Sequence, residues 1–145
     1  MPSVRQRVRS EFVARCTGIT HAVGNPKTSR SRIVPESDVP AIVVSIASDT
    51  RNGFTNSSFF HELAFEIECI AKPVGSTAGV DVAEEMAAEI EARMSEPIEL
   101  ATIEWVSTTF GEESEGQQPF HTASLRFTME YATPRGLDVA DPVGG

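Results

Sequence analysis

Cysteine is scarce in this 145-residue chain: Cys16 and Cys69 stand far apart and outside any CxxC or Cys/His spacing. That excludes a disulfide-built scaffold and a structural zinc module. Two buried thiols are expected, with one Cys16–Cys69 bridge as the lesser alternative. Long apolar runs are missing as well: the longest clean one is Ala41–Val44. A membrane-spanning helix needs about 18 such residues, so no membrane partner is expected. The first helix-like stretch carries Arg5, Arg7 and Arg9 with no apolar block behind them, so no secretory leader is expected either. Neither a GxSxG elbow, a Walker loop, an HExxH pair nor a GxGxxG loop occurs, which removes the commonest hydrolase, nucleotide-binding and zinc-protease signatures. There is one tryptophan and one tyrosine, and no aromatic interleaves with the N-terminal basic residues. Single-stranded nucleic acid would find no stacking platform there.

What is present is an ordinary globular composition, 40% hydrophobic and 23% charged, on a chain long enough to bury roughly 70% of its extended surface in one core. The net charge of −9 is unevenly placed. Residues 1–32 hold seven basic side chains and one acid, net +6; residues 33–145 hold five basic and twenty acidic, net −15. Such asymmetry calls for a partner of opposite sign, either a polyanion or another copy of the chain.

From Ser3 to Cys16 the pattern is helical, with Ser3 as N-cap and Val4, Val8, Phe12 and Cys16 as one apolar stripe. Thr17-Gly18 should end it. Residues 18–32, rich in Gly, Pro, Ser, Thr and basic side chains, read as a loop or mobile arm. Pro40 introduces Ala41–Ile46, a continuous β-branched run expected to be a strand buried on both faces. Ser48–Ser57 reads as a polar connection. Leu63, Phe65, Ile67, Cys69 and Ala71 alternate with more polar residues and form the clearest strand. A helix follows, with Asp81 as expected N-cap, Glu84 completing a capping box, and Ala83, Met86, Ala87, Ile90 and Met94 as its buried stripe. Leu100–Phe110 reads as a strand with Ile103, Trp105, Ser107 and Thr109 on one face. Gly111–Gly116 is then expected to reverse the chain into a last strand carrying Leu125, Phe127, Met129 and Tyr131 inward. Residues 134–145 read as a disordered tail. The expectation is a single α+β domain over 1–133, including a basic arm at 18–32. Its antiparallel-rich sheet has about four main strands in two strand pairs, and two helices pack on one face.

Chemistry-bearing candidates are few. Gly75–Gly79 precedes a helix N-terminus, but it lacks a lysine, and Asp81, Glu84 and Glu85 would repel a phosphate. His61-Glu62 has no second ligand at a metal-binding spacing, and His121 alternates with core positions, as a structural histidine does. No catalytic residue, cofactor or metal is assigned. The functional weight falls on Arg5, Arg7, Arg9, Arg15, Lys27, Arg30 and Arg32 as a subunit- or partner-contact surface. A basic surface meeting the acidic surface of the next copy, head to tail, generates rings.

The succession of elements carries a resemblance. An arginine-bearing helix leads through a basic loop to Val39-Pro-Ala-Ile-Val-Val44. Then come Leu63-Ala-Phe-Glu-Ile-Glu-Cys-Ile-Ala71, the acidic Ala-rich helix Val80–Met94, and Leu125-Arg-Phe-Thr-Met-Glu-Tyr-Ala-Thr133. Over about residues 3–133 this resembles the tail terminator proteins of long-tailed phages, also called minor tail or tail-completion proteins. The resemblance implies a non-enzymatic structural protein of a phage, prophage remnant or gene transfer agent. It would form a homo-oligomeric ring, commonly a hexamer, that caps the tail tube, halts polymerisation of the tail tube protein and joins the head through a head-completion or neck protein. Its place would be the virion tail, with the host cytoplasm as the site of assembly, and nucleic acid would meet it only by passing through the ring. A head-completion or neck connector of the same kind of particle is the alternative, and a small α+β ligand-binding domain or enzyme a more distant one.

Overall fold

A computed structural model of the chain describes residues 3–28, 36–98, 101–115 and 118–134. Helix α1 spans Val4–Arg15. Strands β1 (Ala41–Phe54) and β2 (Ser58–Ala71) precede helix α2 (Gly79–Arg93), and strands β3 (Ile103–Glu115) and β4 (Gln118–Pro134) complete the order. The strands form one sheet in the order β1-β2-β4-β3, antiparallel at every junction. The expected α+β class and two strand pairs are therefore present.

Both helices lie on one face of this sheet. Ser3 caps α1 in a full capping box: its Oγ accepts from the Gln6 N–H at 3.2 Å, and its own N–H donates to Gln6 Oε1 at 2.8 Å. Val4, Val8, Phe12 and Cys16 are buried as the four-residue spacing requires, and Gly18, at φ 74°, turns the chain away. α1 packs over β1, and α2 over β2 and β4. The Phe12 ring lies 3.8 Å from that of Phe65, which stacks on Phe127 at 5.5 Å. Those rings centre a core that also takes Ile42 and Val44, the alternating set Leu63–Ala71, and Met86, Ile90 and Met94. The opposite face carries a smaller cluster, Val39, Ala41, Val43, Ile70 and Phe120, so the first part of β1 is buried on both faces as its sequence indicates.

Several local expectations are corrected. Residues 48–54 are not a connection: they continue β1, paired with β2 through two irregularities, between Ile46 and Ser48 and between Arg51 and Gly53. The hairpin closes only at 55–57, where Thr55 N–H donates to the Ser58 carbonyl at 2.8 Å. α2 begins at Gly79 with Ala78 as N-cap and no side-chain cap. A tight turn in which Val74 and Thr77 exchange hydrogen bonds of 3.0 and 2.9 Å launches the helix early, and Asp81 becomes a first-turn residue facing the helix dipole. Gly111 does not start a turn, because β3 runs on to Glu115 opposite Gln118. A bulge between Trp105 and Ser107 moves Ser107 and Thr109 to the open face and brings Thr108 and Phe110 onto the face of Trp105.

The stretch 18–28 is a placed loop. Ile19 is buried, Val23 N–H donates to Pro40 O at 2.7 Å, and Lys27 bridges the edge of β1 through Ile42 O and Val44 N–H at 2.8 and 2.7 Å. The rest of the expected arm through residue 32, with Arg30 and Arg32, lies outside the described residues, as does the expected tail after Pro134. Cys16 and Cys69 are free thiols, both buried, and burial pushes Cys16 up to about 12 and Cys69 further still.

Candidate functional site

The basic residues singled out by the sequence are dispersed into different roles. Arg5 is exposed near the start of α1, with Nε 3.5 Å from Asp49 Oδ2. Arg7 and Arg9 are half-buried on the same helix. Lys27 Nζ lies 3.6 Å from Asp38 Oδ2. Arg15 turns inward. Its guanidinium donates to the carbonyls of Arg93 (3.5 Å), Glu96 and Pro97 (2.9 Å), while Arg93 donates to those of Arg15 (2.9 Å), Thr17 (2.6 Å) and Gly18 (3.4 Å). Each arginine thus serves carbonyls at the C-terminal end of the other helix, groups a helix cannot satisfy itself. Arg15 joins the two helices.

The fold converts the charge division of the sequence into a spatial one. α1, with four arginines against one glutamate, covers the β1 side of the sheet. α2, with five acids against Arg93, sits towards β4 and reaches β3 through Glu91, whose Oε2 accepts the Thr108 hydroxyl at 2.7 Å. β3 itself carries four glutamates and no base. Arg5, Arg7 and Arg9 lie on the β1 side and Glu91 on the β3 side, whereas Arg15, Glu85 and Glu89 are engaged between the helices and the loop that follows α1.

A polar cluster that sequence reasoning missed occupies the helix-side face at the far end of β1, β2 and β4. His61 is buried. Its Nε2 shares a 3.0 Å hydrogen bond with Thr133 Oγ1, its Nδ1 lies 3.3 Å from Asp49 Oδ1, and its ring stacks on Tyr131 at 4.7 Å. Tyr131 donates its hydroxyl to Asp49 Oδ2, and burial, then Asp49, raise its pKa. Asp49, His61 and Thr133 stand in the order of an orienter, a base and a nucleophile, but Asp49 Oδ1 is buried without a hydrogen-bond partner, so the link from Asp49 to His61 is not made. Thr133 is also only 1% exposed and is not among the walls of the adjoining cleft of about 450 Å³, formed by Arg5, Asp49, Arg51, Phe59 and His61. A substrate entering that cleft would not meet the hydroxyl. The cluster fills the end of the sheet beyond the apolar core, joined by the His61–Thr133 and Tyr131–Asp49 hydrogen bonds. The signal was available: His61 and Tyr131 fall in phase with Leu63 and Met129, and a buried histidine needs partners. Among the described residues no group of three His, Cys, Asp or Glu side chains is placed to hold a metal ion.

The chain matches no protein-family model, and no curated protein is significantly similar to it.

Proposed function

We propose that this protein is a tail terminator of a phage-like particle. It is a structural protein whose copies form a ring, commonly hexameric, on the end of the tail tube, stopping polymerisation and presenting the surface the head-completion protein joins. The observation that carries this reading is the placement of Arg5, Arg7 and Arg9 on the β1 side of one small sheet, opposite Glu91 and the glutamates of β3. A closed ring requires two different, mutually complementary surfaces on each subunit, placed apart. The element succession that resembles the terminator family supports the same reading, and it assigns no catalytic role to any residue.

The test is direct. Purified protein, alone and mixed with tail tube protein, is examined by light scattering and negative-stain microscopy. Rings, and tubes capped at one end with arrested growth, are expected. A strict monomer that leaves tube growth unchanged would overturn the reading.

A further inference from the structure

β3 closes the sheet order β1-β2-β4-β3 and over its whole length pairs with β4 alone among the described residues. One row of its backbone donors and acceptors therefore faces no described strand, and an edge left this way templates pairing with another chain. Proteins usually guard such edges with charge or proline, yet the middle of this one carries Trp105 at 57% exposed, Val106 at 51% and Phe110 at 51%. Trp105, Thr108 and Phe110 stand opposite Phe127, Leu125 and Ala123, which belong to the main core, so all three side chains lie on the helix side. The indole is also held in position. Its Nε1–H donates to Thr108 Oγ1 at 2.9 Å, and that hydroxyl donates to Glu91 Oε2 at 2.7 Å. A large exposed aromatic fixed before a partner arrives has little side-chain freedom left to lose on binding.

The edge is complementary to itself. Two copies of β3 related by a two-fold axis at Thr108, perpendicular to the sheet, pair antiparallel and keep all helices on one face. Counted through the bulge, Trp105 of each copy then stands opposite Phe110 of the second, and Ser107 opposite Thr109. Glu104 falls opposite Gly111 and Glu112 opposite Ile103, so no two carboxylates face each other across the ladder. An axis at Thr109 would set Glu104 against Glu113 and Trp105 against Glu112; an axis at Ser107 would set Trp105 against Thr108 and part the aromatics. The bulge creates this match, because it brings Trp105 and Phe110 onto one face. Two such edges bury on the order of 1,000 Å² in all, the lower bound of a specific interface, which sets the association in the micromolar range.

We propose that β3 pairs with β3 of a second copy of this chain about a two-fold axis at Thr108, joining two sheets into one with Trp105 and Phe110 of both copies meeting at its centre. The contact uses one patch twice. It goes beyond the ring reading, whose contacts join unlike surfaces, and does not rest on it. The aromatics, Val106 and the backbone ladder supply affinity. The net charge of −9 on each copy and the two Glu91 carboxylates beside the axis oppose it. Salt therefore tightens this contact by screening like charges, where it would loosen a contact of acid with base.

Sedimentation of the full chain at about 1–100 μM gives a monomer–dimer equilibrium that tightens several-fold between about 50 mM and about 500 mM salt. Trp105→Ala and Val106→Lys, at exposed positions, each weaken the dimer by roughly thirty-fold or more, because each change occurs twice in a symmetric contact; unchanged circular dichroism spectra verify the fold. Ser107→Cys and Thr109→Cys leave the Trp105–Thr108 hydrogen bond untouched and report the register. Directly opposed residues have Cα atoms about 4.5–5.5 Å apart, within disulfide reach, so an equimolar mixture of the two variants links on mild oxidation and neither links well alone. The native thiols Cys16 and Cys69 are buried and do not interfere. A wild-type monomer throughout that range overturns the proposal, as does a dimer undiminished in Trp105→Ala and Val106→Lys, or one that loosens in salt. Either cysteine variant linking to itself in preference to the mixture, or a dimer whose mixture stays unlinked, overturns it too. Rings that cap tubes unaltered in Trp105→Ala leave the terminator reading standing while this pairing fails; a salt-tightened dimer that never caps tubes does the reverse.

Discussion

The sequence groups Arg15 with the contact-surface arginines, yet its guanidinium serves three carbonyls at the far end of α2. Replacing it with methionine keeps most of the aliphatic stem and removes only the fork. Each lost hydrogen bond contributes about 0.5–1.5 kcal/mol net, since the freed carbonyls turn partly to water. The bond to Arg93 O is long at 3.5 Å and belongs at the bottom of that range. A cation at a helix C-terminus adds about 0.3–1 kcal/mol. The expected cost is therefore about 3 kcal/mol, a fall in melting temperature of roughly 9 °C for a chain of this size. Arg15→Lys should recover less than half, because an ammonium on a flexible stem does not reproduce the planar fork. Arg15 Nε also donates to the exposed Glu11 carboxylate at 3.2 Å, so high salt should remove the small share due to that pair and to the helix end and leave the carbonyl share. The double variant with Arg93→Met should cost less than the two singles added, because either loss loosens the segments both arginines hold. Urea titration followed by circular dichroism, with thermal melts, measures all of these. Stability within about 0.5 kcal/mol of wild type would refute the reasoning. Impaired assembly at unchanged stability would return Arg15 to the contact surface.

Gly79 opens α2 where a Cβ would stand 2.6 Å from His121 Cδ2. Gly79→Ala should thus destabilise by about 1–2 kcal/mol despite alanine's better helix propensity, and combining it with His121→Ala should remove most of the clash, as thermal melts of the four proteins would establish. Burial holds the protons of Cys16 and Cys69 in the folded state, well above the ordinary thiol value of 9.0, so the unfolded chain gives them up first. Stability is then complete below about pH 9 and falls above it by up to about 1.4 kcal/mol per pH unit for each thiol, with Tyr131 adding to the loss above about pH 10. Urea titrations at pH 8 and pH 10.5 should show that fall in wild type and a shallower one in Cys16→Ala and Cys69→Ala; equal slopes would count against it. Both thiols should also resist a disulfide reagent until the protein unfolds.

The parts of the fold legible in the sequence are those where one side is water and the other is core. The stripes of α1 and α2 and the alternation from Leu63 to Ala71 are produced by that contrast, so period and burial agree. Where the sheet outruns the helices the contrast disappears. Ser48–Phe54 and Gly111–Glu112 are polar because much of their surface is wet, and they are strands because β2 and β4 run beside them with ladder groups to satisfy. A partner strand far along the chain leaves no mark on the local pattern. The bulge at Val106 is hidden for a related reason: one inserted residue reverses the phase of everything after it, so Ser107 and Thr109 read as companions of Trp105 when they face the other way.

That phase change bears on the edge itself. Without the bulge, Trp105 and Phe110, five positions apart, would fall on opposite faces and leave only scattered exposed apolar side chains, which any surface tolerates. With it, both lie on the helix side of one strand edge, next to Glu112 and to the Glu91–Thr108 chain that steadies the indole. A bulge that merely protected the edge would gain from a charged residue at its apex, yet the apex is Val106. Position, orientation and chemistry therefore agree at β3. Around that edge the charge is acidic, with Glu112 on the strand and Glu91 beside it, while Arg5, Arg7 and Arg9 lie across the sheet on the β1 side.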